Sequence, residues 1–302
     1  MTKNISASVR QRLLNRSKAS GENFNSLLLR YGIERLLYRI SQSEHVDDFI
    51  LKGASLFYVW TGEIYRPTKD VDMLRFGPTD PDLLAKIIAS CVTNEDIEED
   101  GLVFDVDTID AQTIREAELY AGVRVKLKAY LGKAVIPLQL DVGTGDSVTP
   151  DAEMIAYPSL LDDMPPAHLR AYRFETAIAE KCEAMVKLGM TNTRLKDFYD
   201  VFVLARDQTF HGETLMTSVR DTFARRKTAL PEQLPVAWTP EFSQDEQKLA
   251  QWSAFLKKSK LEAPDLPEVI EVISAFLMPI CSAALITQRS WNGTSWDVSQ
   301  ED

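Results

Sequence analysis

Apolar positions recur along this chain with two different periods, and the changes between them divide it. Residues 4–42 carry a helical period in two segments, the second placing Leu27, Leu28, Leu36, Leu37 and Ile40 on a buried face. Short apolar runs then take over. Asp48-Phe-Ile-Leu-Lys52 predicts a buried strand ending at Gly53, and Ser55-Leu-Phe-Tyr-Val-Trp60 predicts a helix packed on the sheet. A polar loop leads to Asp70-Val-Asp72-Met-Leu74, whose flanking apolar residues suit a second strand. Asp80-Pro-Asp82 opens a helix over about 80–93. Residues 121–146 predict a β-hairpin: 123–131 alternates apolar and basic, Gly132-Lys133 turns, and 135–142 returns.

The segment Asp162-Asp-Met-Pro-Pro-Ala167 interrupts the pattern and marks a boundary. Beyond it the period is helical, over 172–189, 193–207, 213–227, 243–259 and 266–285. Pro231, Pro235 and Pro240 punctuate a linker before the last two helices, and 289–302 lacks periodicity, which predicts a flexible tail. The expected fold class is α+β. A mixed sheet core with flanking helices fills residues 1–165, and a helical C-terminal lobe fills 166–288. No internal repeat is present.

Composition narrows the setting. The 302 residues are 45 % hydrophobic and 26 % charged, ordinary for a globular protein. No apolar run approaches the length of a membrane span, and the N-terminus is charged rather than signal-like. Cys91, Cys182 and Cys281 lie far apart in helical patterns and read as buried thiols of a reducing compartment. Three scattered histidines offer no metal cluster or triad, and no Walker or Rossmann glycine pattern occurs. A cytoplasmic protein is expected. The net charge of −11 argues against a general nucleic-acid coat, because such binding neutralises many phosphates. Local basic groups remain: Arg10, Arg12, Arg16 and Lys18; Arg124, Lys126 and Lys128; and Arg220, Arg225, Arg226 and Lys227. Each reads either as a solvated face or as one basic groove on an otherwise acidic surface.

The chemistry concentrates at Asp70 and Asp72. Residues i and i+2 of a strand point to one face, so the two carboxylates project together and repel unless a cation or proton intervenes. Mg²⁺ suits such a pair, since it takes hard oxygens and bridges carboxylates to phosphates. A D-x-D pair alone is a weak signal, common in solvated turns. Its context is more specific, because Gly53-Ala54-Ser55 forms a small-residue turn where backbone N–H groups can approach a phosphate. Asp141 closes a largely apolar strand, where an ionised carboxylate is costly unless paired, hydrogen-bonded or metal-bound. It reads either as a loop cap or as a third acid. Three acids on neighbouring strands are what a site for up to two Mg²⁺ ions requires in phosphoryl transfer.

Three blocks carry a family resemblance. They run from Phe49-Ile-Leu-Lys-Gly-Ala-Ser-Leu through Tyr65-Arg-Pro-Thr-Lys-Asp-Val-Asp-Met-Leu74, then Leu140-Asp-Val-Gly-Thr-Gly-Asp146. The third is Tyr172-Arg-Phe-Glu-Thr-Ala-Ile-Ala-Glu-Lys-Cys-Glu-Ala-Met-Val-Lys-Leu-Gly189 with Asn192-Thr-Arg-Leu-Lys-Asp-Phe-Tyr-Asp-Val201. Over roughly residues 23–206 the chain resembles the AbiEii/AbiGii-type nucleotidyltransferase toxins of the polymerase-β-like superfamily. The resemblance implies a Mg²⁺-dependent enzyme of a toxin–antitoxin, phage-defence pair, with a separate antitoxin protein as partner. It would move a nucleotide from an NTP to an acceptor hydroxyl, an RNA and above all a tRNA 3′ end, with a protein hydroxyl as the other acceptor. Gly-Ala-Ser stands where the wider superfamily has Gly-Ser or Gly-Gly, so the triphosphate falls to Ser55 or to the N–H of Ala54.

The remaining candidates have competing readings. Lys181 lies near the apolar face of helix 173–188, where a nucleotide phosphate is a natural partner; pairing with Glu175, Glu180 or Glu183, or snorkelling to water, is the alternative. Asp197 and Asp200 share a face at i and i+3, Asp197 orienting Lys181 or the nucleotide and Asp200 tying helices together. Arg66 pairs with a phosphate or neutralises the acids, and Thr68 is a turn hydroxyl facing the metal site. Lys52 is solvated or touches phosphate. Arg124, Lys126 and Lys128, alternate residues beside Asp141, are the candidate RNA contacts. A nucleotide-binding regulatory protein without turnover is the competing class, against which the acidic trio and Lys181 count. A sugar-nucleotide transferase fits the Gly-Ala-Ser turn and the helical block less well.

Overall fold

The computed structural model describes residues 4–62, 69–116, 120–282, 286 and 288–298, in two units. The first comprises Met1–Gly145 with Glu153–Ala171, and the second Asp146–Ala152 with Tyr172–Asp302.

The first unit opens with α1 (Ile5–Ser20) and α2 (Phe24–Ser41). Asn4 and Asn23 cap their N-termini through side-chain oxygens, which satisfies amides left free by the first helical turn. The predicted α2 face, Leu27, Leu28, Leu36, Leu37 and Ile40, is buried. So are Glu34, Arg35 and Arg39 on the same helix. Burial pushes the Glu34 carboxyl up, against the opposing pull of Arg35 and the Ser159 hydroxyl. Arg39 Nη2 donates to Asp100 Oδ1 at 3.1 Å, so these buried charges are paired.

The sheet follows as β1 (Phe49–Lys52), α3 (Ser55–Thr61), β2 (Val71–Arg75), α4 (Pro81–Val92), β3 (Leu102–Glu116), β4 (Tyr120–Leu131), β5 (Ala134–Thr144), β6 (Glu153–Tyr157) and β7 (Ala167–Ala171). Among the described residues its strand order is β3-β4-β5-β2-β1-β7-β6. β1 and β2 pair antiparallel, whereas β2–β5 and β1–β7 are parallel, making the sheet mixed as expected. Phe49, Ile50 and Leu51 of β1 are all fully buried, the continuous apolar pattern of a central strand covered on both faces. The β4–β5 hairpin instead alternates. Val123, Val125, Leu127, Ala129 and Leu131 face the core, while Lys126 and Lys128 are exposed.

Three strands escape the sequence pattern. β3 is long, but its register shifts between Asp105 and Asp110, and that irregularity destroys the alternation. β6 and β7 are short, and β7 lies beyond the Pro-rich segment taken as the boundary. The first unit therefore ends at Ala171 rather than at 165, because β7 pairs with β1 and β6.

The second unit contains α5 (Phe174–Leu188), α6 (Leu195–Asp207), β8 (Phe210–His211), α7 (Gly212–Arg226), α8 (Pro240–Ser243), α9 (Glu246–Ser259), α10 (Leu266–Cys281), β9 (Arg289–Trp291) and β10 (Trp296–Val298). Residues 146–152 join it through Thr176, whose hydroxyl donates to the Thr149 carbonyl at 2.8 Å. The expected flexible tail is a correction. Residues 289–298 form a hairpin that pairs with β8. Trp291 Nε1 donates to the Ala205 carbonyl at 2.6 Å and Trp296 Nε1 to the Phe276 carbonyl at 3.0 Å. Two tryptophans with satisfied N–H groups anchor a segment too short to show a period. Residues 299–302 lie outside the described residues.

Candidate active site

The site of the first unit is a row of side chains set by strand register. Lys52 of β1 pairs with Asp72 of β2, Asp72 with Asp141 of β5, Asp141 with Arg124 of β4, and Arg124 with Gln112 of β3. Residues directly opposite in a ladder share a face, so two carboxylates stand side by side between two cations. Asp70 precedes the first residue of β2 and lies outside the ladder, so the strand positions Asp72 and only the approach to it carries Asp70. Both are partly buried.

Gly53 supplies the other wall. Its φ of +75° is strained for any residue with a Cβ, and a Cβ there would stand 2.7 Å from Asp72 Cβ and Cγ. Glycine lets the β1–α3 turn close directly over the Asp72 side chain. Ser55 is buried, and its hydroxyl donates to the Lys52 carbonyl at 3.4 Å. Ala54 is also buried. Arg66 and Thr68 lie outside the described residues.

Asp141 is held by a cation in this row. Arg124 grips it with a two-point fork, Nε to Oδ1 at 2.8 Å and Nη2 to Oδ2 at 2.7 Å. Gln139 Nε2 lies 3.3 and 3.4 Å from the same two oxygens. The register explains this, since Asp141 faces a like charge on one side and a guanidinium on the other. Among the described residues no group of three or more acidic, histidine or cysteine side chains is arranged to hold a metal ion. Asp72 and Asp141 stand opposite one another and Asp70 lies two residues before Asp72, so the side chains here that could hold a cation are hard carboxylate oxygens, with water and phosphate to complete its shell. Mg²⁺ commonly binds in that way.

The basic strand is also less free than its sequence suggests. Arg124 is committed to Asp141, Lys126 stands opposite Asp110, and Lys128 stands opposite Asp105. β3 thereby places acids beside the basic residues expected to touch RNA. In the second unit Arg226 is similarly spent, on Asp146 at 3.0 Å and Glu183 at 3.1 Å. Burial works against its charge, but Glu180, Asp146 and Glu183 outweigh it and hold the guanidinium firmly protonated.

Lys181 and Asp197 form the candidate group of the second unit. Lys181 Nζ donates to Asp197 Oδ1 and to Asp200 Oδ2, both at 2.9 Å. Arg194 Nε stands 2.6 Å from Asp197 Oδ2 as an ion pair. These distances join Lys181 to Asp197, one of the partners weighed from sequence, and to Asp200. Burial by itself raises the Asp197 carboxyl, but Lys181 and Arg194 outweigh it and bring it down to about 2.

The family model for the nucleotidyl transferase AbiEii toxin of type IV toxin–antitoxin systems matches residues 35–276. The chain belongs to this family. It is an AbiEii-family nucleotidyltransferase, and the matched span includes Asp70, Asp72, Asp141, Lys181 and Asp197. Among solved structures, JHP933 from Helicobacter pylori is similar with a TM-score of 0.48 and 15 % identity, covering 85 % of this chain and 92 % of that one. A second H. pylori structure, provisionally described as a nucleotidyltransferase, has a TM-score of 0.45 and 16 % identity over 82 % and 92 %. No functionally curated protein matches the chain. Among the described residues no helix is long and apolar enough to cross a membrane.

For this AbiEii-family chain, sequence reasoning missed Arg124 as the partner of Asp141 and Gln139 as a second donor to it. Residues 123–131 and 135–142 predict the hairpin, and a two-residue turn at 132–133 sets Arg124 opposite Asp141, so counting back from the turn would have found the pair.

Proposed function

We propose that this toxin binds a nucleoside triphosphate with Mg²⁺ held by Asp70 and Asp72, and transfers the nucleotidyl group to an RNA hydroxyl. The observation that carries this reading is Asp72, set in register beside Asp141 with Gly53 closed over it, in a chain of the nucleotidyl transferase toxin family. Bound Mg²⁺ would neutralise the phosphates and the charge that develops on transfer. The acceptor oxygen forms a bond to the α-phosphorus, the bond from that phosphorus to the bridging oxygen breaks, and pyrophosphate leaves with the electron pair. A carboxylate of the Asp72–Asp141 pair takes the acceptor's proton.

The other residues bind and orient. Backbone N–H groups of the Gly53-Ala54-Ser55 turn meet phosphate oxygens, with Arg66 and Thr68 from the adjoining loop. Lys181, oriented by Asp197, serves phosphate as a point charge. A tRNA 3′ end is the acceptor we favour, and the antitoxin is a separate protein. A cytoplasmic setting is part of the same proposal.

The test is incubation of the protein with each labelled NTP, Mg²⁺ and total RNA, beside Asp72→Ala. Label in tRNA that vanishes in the variant is the expected result. Label confined to protein would move the acceptor to a protein hydroxyl. Nucleotide binding with no label anywhere would leave a binder without turnover.

A further inference from the structure

The Arg124–Asp141 fork has a consequence for how the site fills. An ionised carboxylate offers about four lone-pair positions. Arg124 takes one on each oxygen at 2.8 and 2.7 Å, and the Gln139 amide approaches both oxygens at 3.3 and 3.4 Å. The capacity of Asp141 is therefore taken up. A divalent cation and a guanidinium also repel, so each weakens the other's hold on this carboxylate. The Arg124 side chain is 37 % exposed while that of Asp141 is 13 % exposed. The guanidinium is the more exposed partner, whereas the carboxylate stays in the row beside Asp72, where a cation must replace the guanidinium if it leaves.

We propose that Arg124 is a positioning residue that competes with the divalent metal for Asp141, latching this carboxylate until a nucleotide polyphosphate draws the guanidinium away. Guanidinium binds phosphate through the same planar fork it uses on a carboxylate, so the exchange replaces one two-point contact by another. The latch makes Asp141 a metal ligand or proton acceptor only when a polyphosphate is present. It also limits metal uptake without nucleotide to Asp70 and Asp72. This inference rests on the metal reading given above.

Mn²⁺ binding, followed by the electron paramagnetic resonance signal of the free ion, separates the possibilities without any activity measurement. The full chain would be titrated with Mn²⁺ in the absence of nucleotide as wild type, Arg124→Gln, Asp141→Asn and the double variant, each checked for folding by circular dichroism. Arg124→Gln should bind Mn²⁺ about tenfold tighter, the scale of one contact to a charged group. The gain should vanish in Arg124→Gln/Asp141→Asn. With ATP as probe, Arg124→Gln should bind the nucleotide more weakly than wild type. Unchanged Mn²⁺ affinity in a folded Arg124→Gln, or a gain that survives in the double variant, overturns the latch. If Arg124→Gln does not fold, Arg124→Lys keeps the charge and loses the fork; a smaller gain supports the proposal and no gain overturns it. Wild-type protein that takes up no Mn²⁺ with or without ATP would instead remove the metal reading, and this inference with it.

Discussion

Lys181 Nζ lies 2.9 Å from Asp197 Oδ1, and it holds Asp200 at the same distance. Both aspartates are almost wholly buried, with side chains 1 % exposed, and the lysine side chain is only 13 % exposed. One ammonium thus offsets two carboxylates inside a helical unit, with Arg194 supporting Asp197 from the other side. Whatever Lys181 contributes to nucleotide binding, it is also structural.

Removing that ammonium should therefore be costly. Lys181→Met removes the ammonium that Asp197 and Asp200 share inside the fold, a loss of about 3–5 kcal/mol. Urea denaturation of the variant checks this, and a change under about 1 kcal/mol would show that the pair is energetically slack. Nucleotide affinity of the variant is interpretable only under conditions where it remains folded.

Acid should expose the same pair. The folded Asp197 carboxyl sits at about 2, below its ordinary 3.8, so its contribution is complete above the ordinary value and is lost as pH falls through the folded one. The window runs from about pH 4 down to about pH 2, and the contribution is about 2 kcal/mol. The stability gap between wild type and Asp197→Asn should narrow across that window. A gap independent of pH would mean that the charge of Asp197 is not what stabilises the fold.

Asp72→Asn keeps the shape of the side chain but removes its charge beside Asp141. Nucleotide transfer in Mg²⁺ should disappear, while the melting temperature holds or rises slightly as repulsion between neighbouring carboxylates is relieved. Wild-type transfer by this variant would remove Asp72 from the proposed chemistry.

Gly53→Ala tests the turn. At φ +75° a Cβ is strained, and this one would meet Asp72 Cβ and Cγ at 2.7 Å. A cost of about 1–3 kcal/mol is expected, together with displacement of Asp72 and reduced transfer. Thermal melts and transfer assays in parallel decide it; an alanine variant equal to wild type in both would mean that the turn has room to relax.

Trp291→Ala tests whether the C-terminal hairpin is part of the helical unit. The ring is 1 % exposed and lies 5.0 Å from Phe276 and 5.6 Å from Trp296, centroid to centroid. Its loss should cost about 3–5 kcal/mol. Protease sensitivity should rise at the C-terminus, and a variant as stable as wild type would restore the flexible tail expected from sequence.

The α+β class, the helices of both units, the β4–β5 hairpin and the acidic residues at 70, 72 and 141 are legible in the chain before it folds. These follow from local rules: period 3.6 or 2, caps such as Asp80 before Pro81, and a tight turn at Gly132-Lys133. What each charged side chain faces depends on strand pairing and helix packing between distant segments. Asp141 reads from sequence as a metal ligand or a cap, yet parallel pairing with β2 and antiparallel pairing with β4 set it between Asp72 and Arg124. Lys181 reads as a phosphate ligand, as a partner of its own helix's glutamates or as a residue oriented by Asp197, and packing of α5 with α6 sets it between Asp197 and Asp200. The bulged β3, the short β7 beyond the proline segment and the Trp291–Trp296 hairpin carry no sustained period. Their conformations come from partners distant in sequence, and local pattern holds no information about such partners.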